Sequence, residues 1–389
     1  MTDSTETLLG LPPLSLYVHM PWCVRKCPYC DFNSHVSPGQ VPAEEYIHAL
    51  LADLEQDLSL VWGRPVHSIY FGGGTPSLFS AELIASFLSA ARARLDLWPD
   101  LEITLEANPG TIEHDSFSAY AEAGVNRVSL GVQSFDDNLL KRIGRIHGRH
   151  EIEQSLRSLH AGGISNFNID LMYALPAQSP AQARRDIKLA IDAGASHISL
   201  YQLTIEPNTA FAVQTPQLPV EDEAWEMQQE GMGLLEAANF GQYEISAFAQ
   251  PGLRSRHNLN YWKYGDFLAV GAGAHGKISL PADGGVRRYA KHRHPRRYLR
   301  GLDSGDWLAE QRFLSAEERV FEFFLNQLRL KDGVQISDFS PRTGLPWKVV
   351  ETRVQQAVDK GLLMAGQSQL RPTALGWKFV NDTQQIFLP

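Results

Sequence analysis

Up to about residue 240 the chain repeats one alternation, and that alternation limits what it can fold into. Short apolar, β-branched runs at 14–20 (LSLYVHM), 68–74, 102–109, 127–134, 166–173 and 197–204 read as strands. Stretches between them, such as 43–61 and 81–95, have helical periodicity. Strand then helix, six times over, predicts a parallel sheet with helices on its outside. The sheet is either doubly wound or curved into an open barrel. The chemistry-bearing residues separate the two. Cys23, Cys27 and Cys30 follow the first strand, and Gly72, Gly73 and Gly74 end the second. Glu106 and Asn108 close the third, Gln133 and Ser134 the fourth, and Asp170 lies late in the fifth. A barrel gathers the ends of all its strands at one mouth, whereas a doubly wound sheet collects ligands at one crevice. The expected fold is therefore α/β. A partial (β/α)6 barrel covers 1–240, a barrel extension 241–312, and a small winged-helix-like α+β domain 313–389.

All three cysteines of the chain fall in CVRKCPYC, spaced C-x3-C-x2-C on a polar, turn-like segment with Pro28. Three buried thiols acting as small hydrophobes would not cluster this way. A structural zinc site would need His19 or His35 as a fourth ligand. Soft thiolates equally suit a [4Fe–4S] cluster, which usually takes four cysteines. Three leave one iron without a protein ligand, and that vacancy is a place for a small molecule. GGGTPS (72–77), after a strand and before a helix, lets backbone groups approach a ligand closely.

With this cysteine spacing after the first strand of a partial barrel, the chain resembles the radical S-adenosylmethionine (SAM) superfamily. LYVHMPWCVRKCPYCDFNS, FGGGTPS, EANPG, GVQSF and FNIDLMYALP make it similar to the oxygen-independent coproporphyrinogen III oxidase family. HNLNYW (257–262) is similar to that family's heme-chaperone branch, and the match runs over nearly the whole chain. The resemblance implies SAM on the open iron and Gly73, Gly74 and Thr75 at its methionyl end. It implies Tyr17, Glu106, Gln133, Arg145 and Asp170 around the rest of SAM, and Tyr29 beside the adenine.

HNLNYW supplies an imidazole, His257, with Asn258, Tyr261 and Trp262 close by. Such a set offers heme an iron ligand and aromatic faces for the porphyrin. His257 is the expected axial ligand and His275, in GAGAHG, the second choice. A packed turn is the plain alternative. RRYAKHRHPRRYLR (287–300) carries seven Lys and Arg, a solvated face or a surface for heme propionates, acidic lipid or an acidic partner.

Two functions share this scaffold: a heme chaperone for apo-hemoproteins, and a coproporphyrinogen III dehydrogenase using radical chemistry. The dehydrogenase pattern has a further cysteine two positions after the third, where this chain has Phe32, and a longer N-terminal segment than the thirteen or so residues here. The expectation is the chaperone, with the cluster and SAM as bound cofactors and cluster assembly as a switch for dimerisation or partner docking. A net charge of −9 and a pI near 5.8 argue against a nucleic-acid footprint, and the C-terminal domain is close to neutral. No apolar run is long enough to span a membrane, the N-terminus shows no secretory signal, and three cysteines cannot all pair, so the expected compartment is the cytoplasm.

Overall fold

The computed structural model describes residues 9–37, 39–110 and 116–389. The first eight residues, on which part of the signal-peptide argument rests, lie outside these. Six parallel strands stand side by side in chain order: β1 (Leu14–Met20), β2 (Val66–Gly73), β3 (Leu97–Ala107), β4 (Arg127–Gln133), β5 (Phe167–Tyr173) and β6 (His197–Gln202). The order never reverses. A doubly wound sheet requires such a reversal, so the barrel is the correct alternative.

Successive side chains on a strand point to opposite faces, and the two faces here differ in kind. Leu16 and Val18, Ile69 and Phe71, Ile103 and Leu105, Val128 and Leu130, Ile169 and Leu171 are all buried in one outer core. Helices such as Ala43–Asp57, Ala81–Arg92 and Pro180–Asp192 supply the other half of that core. The alternate positions are polar. Tyr17 pairs with Tyr70, Tyr70 with Thr104, and Thr104 with Arg127. A second row runs Glu106, Ser129, Asn168, His197. The barrel therefore has a greasy outside under its helices and a hydrogen-bonding lumen.

Both edges of the barrel sheet are extended. Beyond β6 lie β7 (Gly241–Gln242) and β8 (Ala247–Ala249), with β8 next to β6. Beyond β1 lie β9 (Asp266–Val270), β10 (His275–Leu280), β11 (Gly285–Lys291) and β12 (Leu308–Phe313). β9 runs parallel to β1 and the rest are antiparallel, giving twelve strands in one sheet among the described residues. Residues 241–312 are thus continuous with the barrel sheet. Two buried charge clusters fasten the extension. Lys291 lies 2.5 Å from Asp53 and 2.7 Å from Asp57, and Asp266 lies 2.9 Å from both Lys277 and Arg64. From Ala316 the chain builds a separate core around Phe323, Phe324, Phe339 and Phe387. Three helices, Ala316–Gln327, Ile336–Thr343 and Glu351–Asp359, precede a hairpin, Leu363–Ala365 with Gln369–Pro372, which is a winged-helix arrangement.

Candidate functional site

At the C-terminal ends of β1–β6 the lumen opens into a cavity of about 430 Å³. Cys23, Cys27, Cys30, Tyr29, Gly73, Gly74, Glu106, Gln133, Arg145 and Asp170 all line it. Separations of over a hundred residues collapse into one mouth because every strand points the same way.

The cysteine loop is tied down at both ends. His35 N–H donates to the Pro21 carbonyl and Ser37 N–H to that of Cys23. Lys26 Nζ closes the turn on the carbonyls of Phe32 and Ser34. The Asn33 amide reaches across to the carbonyls of Ala272 and Arg293, each at 2.9 Å, and so pins the loop to the sheet extension. The three thiols are free and partly exposed. Arg145 approaches Cys27 Sγ at 3.6 Å, and Ser34 Oγ approaches Cys30 Sγ at 3.7 Å. Burial pushes the Cys23 thiol up, and hydrogen bonds from Thr75 and Ser34 oppose that.

These donors do not fit a single ion. No three His, Cys, Asp or Glu side chains among the described residues converge on one point. His19, a conceivable fourth zinc ligand, has both ring nitrogens engaged: Nε2–H donates to the Asn33 carbonyl and Nδ1 accepts from Tyr17. A [4Fe–4S] cube takes its cysteines on separate corners, and three thiols around an open cavity suit that with one corner left over.

The glycine loop closes against the cysteine loop. Gly74 N–H donates to the Met20 carbonyl and Thr75 N–H to that of Trp22. A Cβ on Gly74 would meet the Trp22 oxygen at 2.5 Å, and Gly73 has φ +111° with His19 in the way of any side chain, so both positions need glycine. Gln133 holds a left-handed φ of 70° where β4 breaks register with β5, which turns its side chain region to the mouth. Arg145 Nη2 bonds the Asn108 side chain and the Gly131 carbonyl, both at 2.5 Å. Glu106 accepts from Tyr70 O–H at 2.8 Å and from Gly73 N–H at 3.0 Å. Burial, with the nearby Asp170 adding, pushes its carboxyl up to about 7. Asp170 is raised by burial too, against hydrogen bonds from Asn168, Ser199 and Ser129. Tyr17 and Thr75 are exceptions. Thr75 is buried behind the cysteine loop, and Tyr17 faces a neighbouring cleft. The sequence pattern passed over Tyr70, Arg127 and Asn168, which also line the cavity; polar positions in alternation with apolar ones, as in RVSLGVQ and FNIDLMY, were the available signal.

HNLNYW, with Arg256 before it, forms a seven-residue helix, Arg256–Trp262, at the opposite, closed end of the lumen. Glu102 accepts its first two N–H groups at 3.0 Å, an acidic cap where the helix dipole favours one. His257 is 1% exposed. Its Nδ1 meets Ser68 Oγ at 2.9 Å, its Nε2 meets Tyr261 O–H at 3.0 Å, and its ring stacks on Tyr70. Burial, helped by Arg127, keeps it neutral, with a pKa lowered to about 3. The motif is not gathered on one surface. Asn258 lines the main cavity, Tyr261 the neighbouring cleft, and Trp262 lies under Arg329, 4.3 Å from its ring centre. His275, by contrast, is exposed and lines that cleft.

A partial barrel with three thiols and a glycine loop at its mouth defines a class, and residues 17–190 match the Radical SAM superfamily. Residues 314–379 match the HemN C-terminal domain. Coproporphyrinogen III oxidase (HemN) from Escherichia coli, a radical SAM enzyme, has the same fold at a TM-score of 0.81 and 22% identity, over 100% of this chain and 93% of that one. Heme chaperone HemW of Escherichia coli is 46% identical over 98% of this chain and 100% of its own, and HemW of Haemophilus influenzae 45% over 97% and 98%. A bovine mitochondrial relative, radical S-adenosyl methionine domain-containing protein 1, is 35% identical over 93% of this chain and 84% of its own. The chain belongs to the HemW family of radical SAM proteins.

Proposed function

We propose that the protein is a heme chaperone: it binds heme and hands it to apo-hemoproteins, respiratory cytochromes among them, with a [4Fe–4S] cluster and SAM as resident cofactors. The full-length relationship to HemW carries the reading. Cys23, Cys27 and Cys30 would hold the cluster, which supplies an electron to the SAM sulfonium when both are bound. The chain's own groups do the rest. Arg145 stands by Cys27, within reach of its sulfur. Gly73 and Gly74 offer a bare backbone to the methionyl end, Glu106 and Asp170 face it with carboxylates, Gln133 borders it, and Tyr29 flanks the adenine side. Thr75 and Tyr17 act from behind, through Cys23 and His19. Heme contact falls to HNLNYW and its surroundings: His257, Asn258, Tyr261, Trp262, with His275 nearby.

Phe32 stands where the dehydrogenase pattern has its extra cysteine, which supports carriage over porphyrinogen oxidation. Ordering of residues 23–35 by the cluster would work as a switch for dimerisation or recipient docking. No helix among the described residues is long and apolar enough to cross a membrane, and we place the protein in the cytoplasm, meeting membrane complexes only through recipients. The deciding experiment uses anaerobically reconstituted protein, titrated with heme and separately incubated with coproporphyrinogen III, SAM and a reductant. Stoichiometric heme binding without decarboxylation is expected; decarboxylation refutes the reading in favour of the dehydrogenase.

A further inference from the structure

Taking the heme-carrier reading as its basis, we propose that Tyr261, with His257 as its hydrogen-bond partner, supplies the axial ligand to heme iron, in a cleft between the cysteine loop and the sheet extension. The cleft holds about 760 Å³, within the range of ligand sites. Tyr261 and Phe267 lie on its inner side, with ring centres 4.4 Å apart and edge to face. Phe32, 63% exposed on the cysteine loop, also lines it. Aromatic side chains along a cleft suit a flat macrocycle.

His257 does not line this cleft. Its ring is sealed between Ser68 and Tyr261, so an iron reaches it only if Tyr261 leaves. Tyr261 is already there. The hydrogen-bond network also fixes the roles within the pair. Ser68 gives its hydroxyl hydrogen to Ser15, so His257 Nδ1–H donates to Ser68 and Nε2 keeps its lone pair for the Tyr261 hydroxyl. The imidazole nitrogen thus holds the phenolic hydroxyl in one orientation. Tyrosinate is an established axial ligand of ferric heme. In the step, the hydroxide coordinated to ferric heme leaves as water, carrying the phenolic proton; an Fe–O bond to Tyr261 forms, and the iron stays ferric.

The mouth of the cleft adds an independent observation. Three of the seven cations of the 287–300 tract are ion-paired: Arg288 to Glu322, Lys291 to Asp53 and Asp57, Arg297 to Asp306. Arg293 lines the cleft, and its guanidinium has no ion pair or hydrogen bond among the described residues. An unpaired fork of donors at the rim fits a heme propionate.

The test is a ferric heme titration of full-length, cluster-reconstituted protein without oxygen. The wild type is compared with Tyr261→Phe, His257→Gln, His275→Ala and Arg293→Gln by absorption and electron paramagnetic resonance. The wild type is expected to show a tyrosinate-to-iron charge-transfer band and a high-spin signal. Tyr261→Phe should lose both and bind heme on the order of tenfold more weakly, with unchanged iron content and melting temperature as the folding control. His257→Gln should keep a weakened band, and His275→Ala the wild-type spectrum. Arg293→Gln, outside the core, should weaken binding several-fold. A wild-type spectrum in Tyr261→Phe, or a low-spin histidine spectrum lost in His257→Gln or His275→Ala, overturns the ligand assignment and leaves the carrier reading standing. Unchanged affinity in Arg293→Gln overturns the placement in the cleft. A wild type that takes up no heme overturns the carrier reading, and this inference with it.

Discussion

Replacing Glu106 by Gln is expected to stabilise the ligand-free protein and weaken its hold on SAM. The carboxyl accepts from Tyr70 O–H and Gly73 N–H, yet burial still pushes it up from 4.5 to about 7. A group whose pKa is higher folded than unfolded contributes fully below the unfolded value, and that contribution is lost as the pH rises through the folded one. Ionised Glu106 therefore burdens the folded state above neutrality. The gap between 4.5 and about 7, at about 1.4 kcal/mol per pH unit, corresponds to about 3 kcal/mol near pH 8. Water in the adjoining cavity trims this, so we expect about 1–3 kcal/mol. Gln fits the same bonds: its oxygen takes the Gly73 N–H, and Tyr70 rotates its hydroxyl to accept from the amide. Urea unfolding of the metal-free, reduced chain at about pH 5 and about pH 8 measures the difference. The variant should gain little at the lower pH and most at the higher. A gain independent of pH, or a wild type that is the more stable at about pH 8, refutes the reasoning. Equilibrium SAM binding to the reconstituted pair supplies the second half, and undiminished affinity in the variant contradicts the role given to Glu106.

Cys23→Ala should abolish the roughly four irons per chain that the reconstituted wild type takes up, as measured by iron analysis; zinc retained with no iron uptake would contradict the cluster assignment. Gly74→Ala drives a Cβ into the Trp22 carbonyl, so iron content should fall while far-ultraviolet circular dichroism stays native. Lys291→Met leaves Asp53 and Asp57 buried without their cation, and should cost about 3–5 kcal/mol in thermal unfolding at neutral pH. That loss should shrink as the pH falls toward about 6, because Lys291 lowers Asp53 against burial, and without it the carboxyl takes up its proton at higher pH than in the wild type.

The barrel was legible because two signals coincided. Runs such as LSLYVHM read as strands, and their unusual residues fell at the ends; the structure brings Cys23, Glu106, Gln133 and Asp170 to one mouth, as those positions implied. The lumen below the mouth was harder to see. In RVSLGVQ or HISLYQ the inward Arg127, Ser129, His197 and Ser199 are single polar letters between apolar ones, and nothing local says which face closes on itself. The site of HNLNYW was illegible for another reason. Its place is set by Ser68 and Glu102, 189 and 155 residues away, and a motif carries no trace of partners so distant. Composition suggested an open aromatic platform; long-range pairing made it a floor.

That floor has a mechanical consequence. The helix Arg256–Trp262 touches the main cavity through Asn258 and the neighbouring cleft through Tyr261, and its first turn is held by Glu102. The two contact points are three residues apart, about 4.5 Å along the axis. Less than one turn of backbone therefore borders two compartments, and whatever presses on Tyr261 from the cleft presses on the turn that presents Asn258 to the main cavity.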